Sequence, residues 1–147
     1  MIIAARHTGL VVEDIDTSLG FYQGVLGLKM FKRAFEDDPD YIEELVGIHG
    51  VKLEYAKLHV PGGTLLELLQ YHSHPQQNLR KPYPSNRHGC SHIAFTVENI
   101  DILYSKLVEA GIRCNSQPLC SPDGRVKVLY AHDPDGIILE LVEELEG

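Results

Sequence analysis

A chain of 147 residues is one domain's worth of polypeptide and can bury roughly 70% of its unfolded surface, so it needs no covalent staple to fold. Its net charge of -8 excludes the basic stripe of a nucleic-acid footprint and the cationic face of a protein that docks on anionic membrane, which leaves a small molecule as the expected partner. Cys90, Cys114 and Cys120, odd in number and without metal-type spacing, read as reduced thiols of a cytoplasmic protein; residues 1–6 do not make a secretory signal, and no apolar run approaches the ~20 residues of a membrane span.

Residues 4–12 predict a strand, followed by a helix capped by Asp14 or Asp16, with Ile15, Leu19, Tyr22, Val25 and Leu26 at three- and four-residue spacing and Gly27 closing it. Residues 28–33 predict a second strand. An acidic insertion, 36–49, follows; Asp40 with Glu43 resembles a capping box, which predicts one or two helical turns over 41–46. Residues 51–59 alternate apolar and polar, 60–63 supply turn chemistry, and 65–71 return as a strand, so the unit is βαβββ. The aperiodic stretch 72–89 reads as a linker between a module at 1–71 and another at 90–147. The second module repeats the order with a strand at 91–97, a helix at 100–110 stopped by Gly111, a strand at 112–117, and a hairpin turned by Asp133-Pro134-Asp135-Gly136. In that turn Pro134 suits the second position and Gly136 the fourth. Residues 143–147 read as a solvated, frayed end.

The two modules are one text written twice. His7-Thr8-Gly9-Leu10-Val11-Val12-Glu13-Asp14-Ile15-Asp16 returns as His92-Ile93-Ala94-Phe95-Thr96-Val97-Glu98-Asn99-Ile100-Asp101, and Leu66-Glu67-Leu68 returns as Leu139-Glu140-Leu141. Glu67 and Glu140 each sit in the middle of an apolar strand that reads as buried on both faces, where an ionised carboxylate is expensive unless paired or bound to a cation. His7 and His92 stand at equivalent points of their modules. A pseudo-twofold pairing of the modules brings two imidazoles and two carboxylates to one centre, a donor set that suits a first-row divalent metal. The alternative is that the glutamates form structural ion pairs or hydrogen bonds and the histidines are satisfied at strand ends.

Those motifs, with Phe21-Tyr22-Gln23-Gly24-Val25-Leu26-Gly27-Leu28 and Asp133-Pro134-Asp135-Gly136, resemble the vicinal oxygen chelate superfamily, which includes glyoxalase I, methylmalonyl-CoA epimerase, extradiol dioxygenases, and the fosfomycin and bleomycin resistance proteins. The resemblance spans nearly the whole chain. It implies an α+β fold in which tandem βαβββ modules form a single domain with a cupped, barrel-like mixed sheet, and a metal held by His7, Glu67, His92 and Glu140. The metal is left open among nickel, cobalt, manganese, iron and zinc. Four protein ligands favour the glyoxalase and epimerase branches, and so imply a lyase or isomerase that moves a proton next to a carbonyl through a metal-stabilised enediolate, on a small molecule with vicinal oxygens. Glu140 and Glu67 are then the candidate bases. The segment around Ile48-His49-Gly50-Val51 is similar to the epimerase's Gln-Gly-Val neighbourhood, but Ile48 stands where that enzyme has its catalytic glutamate; His49, Glu43 or Glu44 is the candidate replacement. A homodimer is implied by family members of this length. An extradiol-type ring-cleaving dioxygenase and a non-catalytic binding or resistance protein are the competing functions. His72, His74, His88 and His132 read as solvated, Arg80, Lys81, Arg87, Arg125 and Lys127 as surface cations able to meet an anionic substrate group, and Tyr22 and Tyr104 as packing residues.

Overall fold

A computed structural model describes residues 1–75, 82–90 and 92–145. It divides into two compact units, 1–79 and 80–147, within the stretch expected to link the modules. Arg80 and Lys81, Ser91 at the head of the repeat, and the end of the expected acidic tail lie outside the described residues.

In the first unit the order is β1 (Thr8–Val11), α1 (Ile15–Tyr22), β2 (Lys29–Phe35), α2 (Pro39–Val46), β3 (Leu53–His59) and β4 (Leu65–Tyr71). The strands form a mixed sheet ordered β1-β4-β3-β2, with β1 parallel to β4 and the other neighbours antiparallel. Asp14, not Asp16, caps α1 by accepting from Thr17 N at 2.6 Å. Ile15 N donates to Gln70 Oε1 at 2.8 Å, so α1 starts on the sheet face that carries Leu66, Leu68 and Gln70. Ile15 and Tyr22 are fully buried there with Leu58 and Leu68. The helix ends at Tyr22, earlier than its apolar spacing predicts, and the chain continues as turns to Gly27, which takes a positive φ of 75°.

The cap of α2 is Asp38, which accepts from Tyr41 N at 3.0 Å, rather than Asp40. Pro39 explains the difference: its fixed φ and missing N–H suit the first helical position and push the cap one residue back. Ile42 of α2 packs with Val51 and Leu53, against which Leu69 and Tyr71 also lie, so the insertion covers one end of the sheet face opposite α1.

The second unit repeats the plan with β5 (His92–Thr96), α3 (Ile100–Glu109), β6 (Leu119–Cys120), β7 (Val126–His132) and β8 (Ile138–Glu144), ordered β5-β8-β7-β6. The expected strand at 112–117 is reduced to an isolated bridge, Cys114 with Ala131; regular pairing resumes only at Leu119, after Pro118, which has no N–H to give to a ladder. The β7–β8 turn falls where its residues predict, with Gly136 N donating to Asp133 O at 2.9 Å and Asp133 Oδ1 accepting from Asp135 N and Ile137 N. Glu143 is not in a frayed tail: it lies in β8, and its carboxylate accepts from Asn99 N at 2.6 Å and Ile100 N at 3.3 Å, doing at the start of α3 what a capping side chain does for α1.

Candidate metal centre

Side chains alternate along β4, so Glu67 faces away from α1 together with Leu65 and Leu69. The α1 face of this strand is closed, with Leu66 and Leu68 buried, while the opposite face is half-open. The glutamates are therefore not enclosed on both sides as the apolar runs predict: one face is covered by a helix and the other is only partly covered, leaving the Glu67 and Glu140 side chains 13% and 25% exposed. That lowers the cost of keeping each one charged.

Each glutamate meets the histidine of its own module. His7 Nε2 lies 3.1 Å from Glu67 Oε2, and His92 Nε2 lies 3.1 Å from Glu140 Oε2. The pairing follows from parallel strand register: Gly9 lies beside Glu67 and Ala94 beside Glu140, and the histidine two residues earlier shares their face. The four predicted ligands thus stand as two equivalent pairs, one in each unit, and among the described residues no three histidine, cysteine or acidic side chains gather into a single metal-holding group.

Two neighbours escaped the sequence reading. The residue directly across the hairpin from Glu67 is Lys57, and the residue across from Glu140 is Tyr130. Lys57 Nζ approaches Glu67 Oε1 at 3.2 Å, and the Tyr130 ring lies 5.5 Å from that of His92. Burial and the negative charge of Glu140 push the Tyr130 phenol above its ordinary pKa, so at neutral pH it is a hydrogen-bond donor. The signal that finds both residues is hairpin register, counted back from the turn.

The remaining candidates lie elsewhere. His49 is 98% exposed and its Nδ1 pairs with Glu43 Oε2 at 2.6 Å. Glu43 is held below the usual carboxylate range by the Gly50 N–H and by His49, and Glu44 is exposed. Glu43, in α2, and His49, in the turn after it, thus satisfy one another. His72 is not merely solvated: its Nε2 sits 2.8 Å from Oε2 of the buried Glu54, whose Oε1 accepts from Arg33 Nε at 2.6 Å. Arg33 in turn reaches Asp16. Burial opposes ionisation of Glu54, but the hydrogen bonds from Arg33 and His72 outweigh it and hold the carboxyl below its ordinary value. His132 is buried, its Nε2 2.8 Å from Asn115 Oδ1, and burial lowers its pKa. Lys127 pairs with Asp101, and the Arg87 guanidinium lies over the Tyr83 ring at 4.1 Å. Tyr22 is fully buried and Tyr104 half-buried, as packing residues.

The family model described as glyoxalase/bleomycin resistance protein/dioxygenase superfamily matches residues 4–141. The chain belongs to this superfamily. Among superfamily relatives, a lactoylglutathione lyase of Schizosaccharomyces pombe is 27% identical over 147 residues, covering 96% of this chain and 47% of that protein, so the chain spans about half of the yeast relative. A lactoylglutathione lyase of Escherichia coli O157:H7 is 28% identical over 141 residues, covering 96% and 93%. The crystal structure of a glyoxalase family protein from Bacillus cereus superposes with a TM-score of 0.89 at 24% identity, covering 99% and 97%, which establishes the glyoxalase-like fold with two βαβββ modules. No helix among the described residues is long and apolar enough to cross a membrane.

Proposed function

We propose that this superfamily member is a divalent-metal-dependent lyase or isomerase that moves a proton next to a carbonyl group. The observation that carries the reading is the repeated His–Glu pair: the same two donor types, at the same strand register and the same 3.1 Å separation, in both modules. A structural ion pair needs no second copy, whereas a cation with two imidazole and two carboxylate ligands needs both. The donor chemistry fits such an ion, because each imidazole turns Nε2 toward its carboxylate in a half-open, half-buried setting that favours neutralisation by a bound charge. His7, Glu67, His92 and Glu140 would hold it, in one chain or across a homodimer. When bound, a first-row divalent ion supplies Lewis acidity toward a carbonyl oxygen.

The chain's own residues supply the rest. A carboxylate takes the proton from the carbon beside the carbonyl and gives it back at the neighbouring atom or opposite face; Glu140 and Glu67 are the candidate bases, and Glu140, which faces a phenol across its hairpin where Glu67 faces an ammonium, is the first choice. Tyr130, across the hairpin from Glu140, offers a protonated phenol on the same strand face. His49 is not assigned a step, because a ring 98% in solvent and paired with Glu43 has no shielded contact with the other candidates.

The test is metal content followed by solvent exchange. Full-length protein, reconstituted with nickel, cobalt, manganese, iron or zinc, is expected to retain the ion; His7→Ala and His92→Ala are each expected to lose it. Incubation in deuterated water with lactoylglutathione, and with a 2-branched acyl-CoA thioester, is expected to label the carbon beside the carbonyl of one of them, and Glu140→Gln to abolish the label. Iron-dependent oxygen uptake with a catechol, without exchange, would move the assignment to a ring-cleaving dioxygenase. Ligand binding that survives complete metal removal would move it to a binding protein.

A further inference from the structure

The two His–Glu pairs are equivalent, but what stands behind them is not. Across the hairpin from Glu140 is a neutral phenol; across from Glu67 is an ammonium group. Glu67 is shared by atom: Oε2 faces His7 Nε2 at 3.1 Å and Oε1 faces Lys57 Nζ at 3.2 Å. Lys57 itself is fixed from a third direction, since its Nζ lies over the Tyr55 ring, 5.1 Å from the centroid, and its side chain is 31% exposed.

We propose that Lys57 is a positioning residue that reserves Oε1 of Glu67, so that this carboxylate offers a cation only Oε2, the oxygen beside His7. The inference rests on the metal-centre reading above. Its physical basis is that a carboxylate with both oxygens available closes on a cation through both, whereas an oxygen already accepting a charge-assisted bond does not turn away from it without losing that bond. The ammonium also sits next to the position a dication would take, and like charges at that range repel. Lys57 would therefore weaken the hold on a cation while keeping Glu67 from offering it a second oxygen.

This reading has an unusual sign, and the sign is its test. Cobalt(II) affinity of the full chain is measured by chelator competition, together with the visible spectrum of the bound ion, for wild type, Lys57→Met, Lys57→Gln, Lys57→Arg and Lys32→Met. Lys57→Met and Lys57→Gln remove the ammonium that repels a dication, and are expected to bind cobalt about tenfold more tightly than wild type, with a changed spectrum. Lys57→Arg, which can make the same bond, is expected to keep wild-type affinity and spectrum. Lys32→Met removes the other ammonium beside Tyr55, 5.3 Å from its centroid, and is expected to change neither. A lysine that only supports the fold would loosen the metal when lost, so weakened or unchanged binding in both neutral variants overturns the inference alone. Equal tightening in Lys32→Met overturns it too, by showing a general charge effect. Absence of cobalt binding in wild type overturns the metal-centre reading and this inference with it.

Discussion

Arg33→Met removes the strongest partner of a charge that the fold has placed out of water. The Glu54 side chain is 8% exposed and is held by Arg33 Nε at 2.6 Å and His72 Nε2 at 2.8 Å. Breaking a buried ion pair from one side costs roughly 3–5 kcal/mol when the stranded charge has no other partner. Here His72 remains, and the Arg33 head group is one-third exposed, so about 2 kcal/mol is expected. For a chain of this length that corresponds to a fall in thermal midpoint of roughly 4–8 °C. The assay is thermal unfolding by circular dichroism at pH 7. Asp16→Ala serves as control, because Asp16 is 75% exposed and pairs only with the outer side of Arg33; it is expected to shift the midpoint by less than about 2 °C. Adding Glu54→Gln to Arg33→Met should recover part of the loss, since the stranded charge is then gone. A midpoint for Arg33→Met indistinguishable from that of Asp16→Ala would refute the claim that Glu54 is a buried charge dependent on Arg33.

Ser18 is fully buried in α1 and its Oγ has no hydrogen-bond partner among the described residues, so Ser18→Ala should raise stability by about 1 kcal/mol in urea unfolding; a loss would show that the hydroxyl is satisfied. His132 is held below its ordinary pKa by burial, against the opposing Gly136 carbonyl, with Arg113 adding to the depression. Because its unfolded value is the higher one, the unfolded chain takes up the proton first as pH falls below about 6.5, and stability drops until the folded value is reached. His132→Gln should therefore show a shallower loss of stability between pH 7 and pH 5 than wild type, measured by urea midpoints; parallel slopes would refute it.

The repeated architecture was legible because both modules write the same order of periodicities, and strand 65–71 and the Asp133–Gly136 turn carry unambiguous local chemistry. His7, Glu67, His92 and Glu140 stood out for the same reason, through recurrence and not through any short motif, whereas their contacts as one His–Glu pair within each module follow from parallel strand register. What periodicity missed were pairings made across sequence. The alternation at 51–59 reads as one wet and one dry face, yet Glu54 shares its face with buried Ala56 and Leu58, and only the contact with Arg33 and His72 makes that possible. His72 and His132 read as solvated because their sequence neighbourhoods resemble linker and turn; His132 in fact ends β7, and their partners, Glu54 and Asn115, lie 18 and 17 positions away. Lys57 and Tyr130 were missed for a simpler reason: a strand pattern tells which face a side chain takes, and only the register counted from the hairpin turn tells which residue stands opposite.

The irregularity in β2 bears on whether a strand of another chain can add to this sheet. β2 is the last strand of its sheet order, and pairing shifts between Met30 and Lys32, leaving Phe31 as the extra residue with its ring stacked on His59 at 4.2 Å. Lys29, Lys32 and Arg33 follow or flank the shift. An unpaired strand border is a template on which another chain can add, and a bulge with a run of cations is among the ways natural sheets spoil that template. Deleting Phe31 would leave Lys29 opposite His59, Lys32 opposite Lys57 and Arg33 opposite Ala56, and would remove the bulge that interrupts the border. Such a variant is expected to form fibrillar aggregates at concentrations where the natural chain stays dispersed.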